Sequence, residues 1–389
     1  MKNKTFGLLI FLTFLCTGSI WAQEDIRITH GPYLQNMSDN EVTIVWLTNK
    51  NAVSWVELAP DDGTHFYLTE RPKHFAAKNG VKSEGVVHTV KLTGLKPGTK
   101  YRYRVFSQEV TGRQDYHIFY GKVASSAVYR TAPLSFITND HTKKDMTFTM
   151  INDIHGRSDM MKTLLEIAEP TKNDLVFFNG DMVSSMNNEQ GLFDGFMDVG
   201  VETFAKEIPM YYCRGNHETR GPFATKFQDY FSPLNPELYF LVRQGPVCFV
   251  VLDCGEDKPD TDIEYSGITV YDEYRSREMN WLKEVLKQKE FTEAPFKVVI
   301  CHMPPFGGWH GEQEVLEKFV PLLNDAKVDI MLCGHLHRHI KKEADEQVKF
   351  PVLANGNEAV IKGKITQDEL ILDIIGLTGQ PVDRINIRK

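Results

Sequence analysis

The chain has 389 residues with a formal net charge of −8 at pH 7; 42% of the residues are hydrophobic and 25% are charged. This length predicts two domains or one large domain, and the composition excludes a disordered chain, a collagen-like fibre and a polytopic membrane protein. Because an acidic surface repels nucleic-acid phosphates, a nucleic-acid scaffold role is not expected, although a bound cation can reverse the potential locally at a phosphate-binding site.

Residues 1–22 are typical of a signal peptide for export. Lys2 and Lys4 give the segment a positively charged start, an apolar core follows over 5–20, and Ala22 is a small residue suited to cleavage before Gln23. Since the apolar core is short for a membrane span, we expect cleavage rather than a retained anchor, and no membrane span in the mature chain. The prediction is an exported protein that is periplasmic, held at the cell surface or secreted.

The cysteines predict neither a disulfide framework nor a zinc site. Five follow the signal peptide, which is an odd number, and a domain of this size does not need covalent staples. The sequence contains no Cys-x-x-Cys pair, so a zinc site built on cysteines is not expected. Cys16, inside the signal peptide, is a poor lipidation site because the bulky Leu15 precedes it.

The pattern over 23–135 predicts an all-β domain. Side chains alternate between two faces in EVTIVWL (41–47) and in KYRYRVFS (100–107), as they do in half-buried strands. Turn dipeptides of the kinds Asp-Gly, Asn-Gly and Pro-Gly separate such runs. Short strands with regular turns indicate a β-sandwich, and LKPGTKY (95–101) resembles the turn before a late strand of fibronectin type III domains.

A polar segment with little pattern, 136–145, is the predicted linker, and strands alternate with amphipathic helices over 146–389. The predicted strands are 146–151, 174–179, 209–213, 246–254, 296–302 and 328–335. The predicted helices are 158–168, 193–207, 276–288 and 314–326. From Val352 onward the pattern is again that of strands. The sequence therefore predicts an all-β sandwich domain followed by an α/β domain.

Side chains that bind metal ions stand directly after five of the predicted strands. They are Asp153 and His155, Asp181, Asn216 and His217, His302, and His335 and His337. Strand ends in α/β domains converge on one edge, where loops build a site. A single aspartate at a strand end is more often a turn or helix cap, and a single histidine is more often structural. Five such positions at five strand ends are hard to explain as independent caps.

Asp, His and Asn side chains brought together suit a site with two metal ions. Two divalent ions about 3.5–4 Å apart hold both the attacking and the leaving oxygen of a displacement at phosphorus. The mixed oxygen and nitrogen ligands favour Mn, Fe, Zn or Co over Mg or Ca alone. Glycines beside the ligands allow the backbone to approach closely.

The order of these motifs resembles that of the calcineurin-like metallophosphoesterase superfamily. Asp-x-His, Gly-Asp, Gly-Asn-His-Glu, His and Gly-His-x-His follow one another over about 146–340. The segment GPYLQNMSDNEVTIVW (31–46) and the sandwich after it resemble the N-terminal domain of purple acid phosphatase-like proteins. The resemblance implies a catalytic domain of two packed mixed sheets flanked by helices, with the β-sandwich in front of it.

The resemblance also implies a role for each of these residues. A first metal ion, of a divalent or mixed-valence pair, would be held by Asp153, His155, Asp181 and His337. Asp181 would bridge to a second ion, completed by Asn216, His302 and His335. His217 would face the substrate, as a general acid to the leaving oxygen or as a stabiliser of transition-state charge. His310 resembles a substrate-facing histidine of the purple phosphatases.

Two positions depart from the resemblance. Purple acid phosphatases carry an iron-binding tyrosine where Ser184 stands here, and they lack the histidine that stands here as His155. A stable ferric–tyrosinate site is therefore not expected. The protein-phosphatase branch carries an aspartate in place of Ser184 and lacks the Gly-His-x-His pair, so phosphoserine and phosphothreonine chemistry is not favoured.

The sequence thus predicts an exported, metal-dependent phosphoric ester hydrolase. In the mechanism that the resemblance implies, a metal-activated hydroxide attacks phosphorus in line and His217 assists the leaving group of a small-molecule or macromolecular phosphate ester. Three alternatives remain: a phosphodiesterase rather than a monoesterase, a binding or adhesion protein with a vestigial catalytic domain, and a nuclease. Substrate walls are expected in loops such as 184–200 and 255–275.

Overall fold

The computed structural model describes residues 24–127, 131–231 and 234–389. The predicted signal peptide, 1–22, lies outside the described residues, which begin at Glu24. Within the described ranges, no helix combines the length and the apolar character needed to cross a membrane.

The N-terminal part of the chain is a β-sandwich, as predicted. Its strands are β1 (Ile28–Gln35), β2 (Glu41–Pro60), β3 (Lys73–Phe75), β4 (Ala77–Lys78), β5 (Val81–Lys82), β6 (Glu84–Thr93), β7 (Lys100–Gln114), β8 (His117–Ser125) and β9 (Leu134–Ile137). The first half of β2 pairs with β1 and β6, and its second half pairs with β7. A register shift between Leu47 and Ala52 separates the two halves, so one long strand serves both layers.

The second part of the chain holds two six-stranded mixed sheets. The first sheet contains β10 (Met146–Ile151), β11 (Leu175–Asn179), β12 (Met210–Cys213), β19 (Ala359–Ile365), β20 (Glu369–Gly376) and β21 (Pro381–Arg388). The second contains β13 (Phe240–Gln244), β14 (Val247–Val251), β15 (Phe296–Ile300), β16 (Ile330–Cys333), β17 (Ile340–Lys342) and β18 (Val352–Ala354). The spatial orders are β12-β11-β10-β19-β20-β21 and β13-β14-β15-β16-β18-β17.

Parallel strands form one half of the first sheet and the centre of the second, and antiparallel strands extend both. Strands β10, β11 and β12 are parallel, as are β14, β15, β16 and β18. Hairpins β19–β20–β21 continue the first sheet antiparallel to β10, which accounts for the strand pattern predicted after Val352. The fold class predicted from the sequence is confirmed.

Helices cover the outer faces of the two sheets. They are α1 (Ser158–Ala168), α2 over 189–205, α3 (Phe227–Tyr230), α4 (Tyr271–Val285), α5 (Lys289–Thr292) and α6 over 310–325; α2 and α6 each include π-helical turns. Phe148, Phe177 and Phe249 lie between the sheets in the inner core, whereas Phe178 packs outward against α2. The two sheets pack against each other and the helices lie on their outer faces, which is the arrangement that the resemblance implied.

The predicted linker is shorter and more firmly held than its polar composition indicated. Strand β9 runs to Ile137 and pairs with β7, so the first two residues of the segment belong to the sandwich. Asn139 is buried, and its amide donates to the backbone oxygens of Met37 and Arg243. The hydroxyl of Tyr103 donates to the backbone oxygen of Lys206 at 2.6 Å. Hydrogen bonds from both sides therefore fix the sandwich against the two-sheet domain.

Candidate metal centre

The ligand-bearing loops turn sharply as soon as their strands end. Asp153, Asp181 and His335 have backbone φ angles of 56°, 54° and 70°, and His155 and His337 have angles of 51° and 55°. Residues other than glycine rarely occupy this left-handed region, and such strain is concentrated at functional sites. Each loop follows a parallel strand of one of the two sheets, so the ends converge at a shared edge.

Four side chains form a first set of ligand atoms that all lie within 4.8 Å of one another: Asp153, His155, Asp181 and His337. The Nε2 atom of His337 is 3.2 Å from Oδ1 of Asp153, and it is 3.0 Å from Nε2 of His155. These are the residues predicted to hold the first ion.

A second set shares Asp181 with the first. It consists of Asp181, His302 and His335, again with ligand atoms within 4.8 Å. The Nε2 atom of His302 is 3.1 Å from Oδ2 of Asp181. Asn216 completes the arrangement, because its Oδ1 atom lies 3.2 Å from Nδ1 of His335. One carboxylate common to two sets is the arrangement that a dinuclear centre needs.

Two buried atoms of the site fit a pair of transition-metal ions. Oδ1 of Asp153 and Nε2 of His302 are buried and make no well-aligned hydrogen bond among the described residues, although Nε2 of His337 lies 3.2 Å from the first and Oδ2 of Asp181 lies 3.1 Å from the second. A buried polar atom without a well-aligned partner costs free energy, which a coordinated cation would recover. Carboxylate oxygens, imidazole nitrogens and one amide oxygen are together suited to Mn, Fe, Zn or Co.

Protein donors hold the oxygens that face away from the site. Oδ2 of Asp153 accepts from Asn152 Nδ2 at 2.7 Å and from the backbone N–H of His335 at 3.0 Å. Oδ1 of Asp181 accepts from the backbone N–H of His217 at 3.0 Å. The other oxygen of each carboxylate points toward the ligand sets. Such outer contacts orient ligands and fix their geometry.

The electrostatics favour the metal-binding protonation state at some of these residues and oppose it at His302 and His337, whose pKa values are raised by neighbouring aspartates. Burial lowers the pKa of both His155 and His335 to about 4, so both imidazoles are neutral at pH 7. Burial disfavours the carboxylate of Asp181, but His302 outweighs this and holds the pKa of Asp181 well below its ordinary value. Burial likewise disfavours the charged form of His302, but Asp181 and Asp153 outweigh it and raise the pKa of His302.

Glycines beside the ligands leave no room for a side chain. A Cβ atom at Gly180 would overlap the ring of His302, and one at Gly334 would come within 2.6 Å of Oδ2 of Asp153. Gly180 also has a φ of 78°. The close approach that the sequence predicted for these glycines is therefore present.

His217 lies beside the ligand sets without belonging to either. Its Nδ1 atom is 2.8 Å from the backbone oxygen of Ser184, and its Nε2 atom is 3.9 Å from Oδ2 of Asp181. The Nη1 atom of Arg220 is 3.4 Å from the same Nε2. The side chain is partly exposed, so Nε2 is accessible to a molecule bound at the centre.

His310 belongs to neither of the two ligand sets. It is the first residue of α6, and its Nε2 atom lies 2.7 Å from Oδ1 of Asp272. With Asp272 and Glu314 it forms a separate group, whose carboxylates also pair with Arg275 and Lys318. Because cations already neutralise this group, its geometry is that of an ion-paired cluster. The substrate-binding role of His310 stays a prediction.

Sequence reasoning missed two buried carboxylates next to the second set. Oδ2 of Asp257 accepts from Nδ2 of Asn216 at 3.1 Å, which turns the amide oxygen toward His335. Oε1 of Glu312 is 3.7 Å from Nε2 of His335 and has no hydrogen-bond partner among the described residues. Neither residue follows a strand end, so the pattern that identified the ligands could not find them.

A third such carboxylate is that of Glu218. It is the last residue of the Gly-Asn-His-Glu motif, and the sequence predicted no role for it. Glu218 is fully buried and accepts from the backbone N–H groups of Asp181, Val183 and Gly215. Its side chain thereby joins the two loops that carry Asp181 and Asn216.

Comparison with known proteins gives two family matches. The model for calcineurin-like phosphoesterases matches residues 146–339, and the model for the N-terminal domain of purple acid phosphatases matches residues 31–130. Purple acid phosphatase 18 of Arabidopsis thaliana is 24% identical over 335 residues, which cover 82% of this chain and 67% of that protein. Probable purple acid phosphatase 20 of the same plant is 24% identical over 403 residues, with coverages of 94% and 86%. Fe(3+)-Zn(2+) purple acid phosphatase 12 is 22% identical, with coverages of 85% and 67%.

Proposed function

Because the chain is a calcineurin-like phosphoesterase that carries the N-terminal domain of the purple acid phosphatases, and is therefore a phosphoester hydrolase, we propose that it is an exported phosphatase acting on monoesters through two transition-metal ions. One observation carries the proposal: Asp181 belongs to both ligand sets, beside two buried atoms that make no well-aligned hydrogen bond, Oδ1 of Asp153 and Nε2 of His302.

The two sets would hold one ion each, with Asp181 between them. When bound, such ions supply an activated water as nucleophile and neutralise the charge that develops on the phosphoryl oxygens. The first ion would take Asp153, His155 and His337, and the second would take Asn216, His302 and His335. Ser184 replaces the iron-binding tyrosine, so we propose ions other than a ferric–tyrosinate pair, with Mn, Zn, Co and ferrous iron as candidates.

His217 would protonate the leaving oxygen. The carbonyl of Ser184 only accepts, so the contact at 2.8 Å places a proton on Nδ1 and leaves Nε2 to face the substrate. In the cationic form, Nε2 carries the proton that passes to the departing alkoxide as its bond to phosphorus breaks. The guanidinium of Arg220 lies 3.4 Å from Nε2 and can only donate, so it contacts the neutral imidazole and would have to turn aside when Nε2 carries the proton.

Hydrolysis of two synthetic esters tests the proposal. The chain from Gln23 onward is stripped of metal, reloaded with Mn or Zn, and assayed with p-nitrophenyl phosphate and with bis-p-nitrophenyl phosphate, each with and without chelator. We expect uptake of about two ions per chain and metal-dependent turnover that favours the monoester.

Each of the other possible results of this assay favours a different function. Preference for the bis ester would replace the monoesterase by a phosphodiesterase. Turnover that survives metal removal would contradict the metal-based mechanism. Failure to take up metal would favour a binding protein with a vestigial site. Export is tested separately, by locating the protein in cell fractions and determining its first residue, which we expect to be Gln23.

A further inference from the structure

A cavity of about 670 Å³ lies between the segments 219–225 and 256–277. Its volume is within the range of sites that bind drug-sized molecules, about 300–1,000 Å³. Arg220 lines the cavity, and its Nη1 atom is 3.4 Å from Nε2 of His217. One side chain therefore separates this cavity from the imidazole that would face the leaving group.

Two of the three arginines in the cavity wall are already neutralised. Arg214 pairs with Asp253 at 2.8 Å, and Arg220 pairs with Glu256 at 2.7 Å. The guanidinium of Arg214 also lies 5.7 Å from the centre of the Tyr271 ring. The third, Arg277, makes no ion pair among the described residues and lies 5.6 Å from the centre of the Tyr274 ring. The wall therefore offers a single unpaired cation rather than a cluster that would hold a second phosphate group.

Aromatic and aliphatic surface makes up the rest of the wall. Tyr265, Tyr271 and Tyr274 line the cavity, together with Ile268 and Val270. Ile268 is 84% exposed and Val270 is 66% exposed. Large aliphatic side chains that stay exposed next to a concave surface are typical of a binding site.

Two hydroxyl groups of wall residues make no well-aligned hydrogen bond among the described residues. They are Oη of Tyr265, which lies near the carboxylate of Glu256, and Oγ1 of Thr269. Both oxygens are covered, so a ligand with polar atoms at its edge would gain a hydrogen bond over a purely apolar one once either side chain turns toward it.

We propose that this cavity binds the alcohol portion of the substrate, and that this alcohol is an aromatic system larger than one ring with polar substituents. The inference rests on the proposed function, because only hydrolysis at the metal centre makes the neighbouring cavity a leaving-group site. Tyrosine rings favour stacking with a flat ring, and the volume would be mostly unfilled by a single phenyl group.

The test compares esters that differ only in the alcohol: 4-methylumbelliferyl phosphate, phenyl phosphate and glycerol 3-phosphate. Ile268→Ser removes apolar surface at the cavity. We expect about a fivefold loss in kcat/KM for the methylumbelliferyl ester, mostly through KM, and less than a twofold change for glycerol 3-phosphate. Ile263→Ser is the matched control, because Ile263 is 93% exposed on the same segment and does not line the cavity.

Tyr265→Phe tests the Tyr265 hydroxyl in the same assay. We expect a loss for the methylumbelliferyl ester, which has a carbonyl at its edge, and none for phenyl phosphate. Inhibition by inorganic phosphate should be the same in every variant, because phosphate has no alcohol portion. Equal losses for all three esters, or none for the methylumbelliferyl ester in Ile268→Ser, would overturn the inference.

A wild-type protein that hydrolyses no ester would contradict the proposed function instead. Fluorescence titration with 4-methylumbelliferone then tests the cavity directly. Binding that is weakened by Ile268→Ser and not by Ile263→Ser would support an aromatic ligand, and absence of binding to the wild type would refute it.

Discussion

The Nδ1 atom of His217 lies 2.8 Å from the backbone oxygen of Ser184. A carbonyl oxygen only accepts, so this contact fixes the proton on Nδ1 and directs Nε2 toward the metal centre. The resemblance seen in the sequence implies a tyrosine or an aspartate side chain at this position in the related branches. In this chain the main chain orients the histidine, and the side chain of Ser184 is not needed for it.

Replacing His217 by Gln is expected to lower kcat by about 10²–10⁴-fold, the usual contribution of a general acid. The loss should be larger for glycerol 3-phosphate than for p-nitrophenyl phosphate, because p-nitrophenolate departs without a proton. Steady-state kinetics and metal analysis of the same preparations check this. Loss of bound metal in His217→Gln would show that the residue is a ligand.

Ser184→Ala is the matched control for that variant. The substitution removes the hydroxyl and keeps the carbonyl that contacts His217. We therefore expect kcat to change less than threefold, far less than the change in kcat caused by loss of a general acid. If Ser184→Ala is as inactive as His217→Gln, then the hydroxyl, and not the backbone, is what the reaction requires.

Replacing Asp181 by Asn is expected to abolish turnover and to weaken binding of both ions. Asn keeps the size of the side chain and tolerates the φ of 54° at this position, whereas the charge shared by both ligand sets is lost. Calorimetric titration with Zn and metal analysis measure the effect. Circular dichroism should show an intact fold, and activity equal to that of the wild type would exclude Asp181 as the bridge.

Glu312→Gln is expected to weaken binding of the second ion by about 10- to 100-fold while the first ion stays bound. Glu312 is buried, with Oε1 at 3.7 Å from the ring of His335, a residue of the second set alone. Metal content at limiting Zn should fall toward one ion per chain. Equal loss of both ions would indicate a general structural defect instead.

The grouping of the candidate ligands could be predicted from the sequence because these residues obey a local rule. Asp153, Asp181 and His302 each come within two residues of the end of a parallel strand, and strand ends converge. Asp257 and Glu312 contact ligands 41 and 23 positions away in the chain, with no periodic pattern to reveal them.

The remaining differences also come from long-range contacts. His310 contacts Asp272, a residue 38 positions earlier, and this pairing was invisible in the sequence. Strands β13 and β17 have five and three residues, too few to show an alternation. The sequence predicted strands after Val352. It did not predict that they extend the first sheet antiparallel to β10, because strand pairing depends on the assembled sheet.

Gly363→Ala is expected to destabilise the protein by about 1–3 kcal/mol, the cost of overpacking a core. Gly363 lies opposite Phe148 in the β10–β19 pair, and a Cβ atom there would overlap the phenylalanine ring. Gly112→Ala is the control, since Gly112 also lies opposite a phenylalanine, Phe119, but at an ordinary distance of 3.9 Å. Urea unfolding measures both, and equal effects would contradict the packing argument.

His88 is expected to make the sandwich lose stability on acidification. It is buried in β6 beside Trp46, with Nε2 2.7 Å from the hydroxyl of Thr48, and burial lowers its pKa to about 4 from an ordinary value near 6.5. Between these values the unfolded chain binds a proton that the folded chain does not. The free energy of unfolding is therefore at its full value above pH 6.5 and falls as the pH approaches 4, by about 2–3 kcal/mol.

His88→Gln isolates this contribution, because Gln retains a partner for Thr48 and does not titrate. Urea unfolding of both proteins between pH 7 and pH 4 gives their difference in stability, in which the histidines of the metal centre cancel. The wild type should lose stability relative to His88→Gln as the pH falls from 6.5 to 4. Outside this window the difference in the free energy of unfolding should stay constant. Parallel curves for the two proteins across this window would mean that His88 is protonated in the folded state as readily as in the unfolded chain.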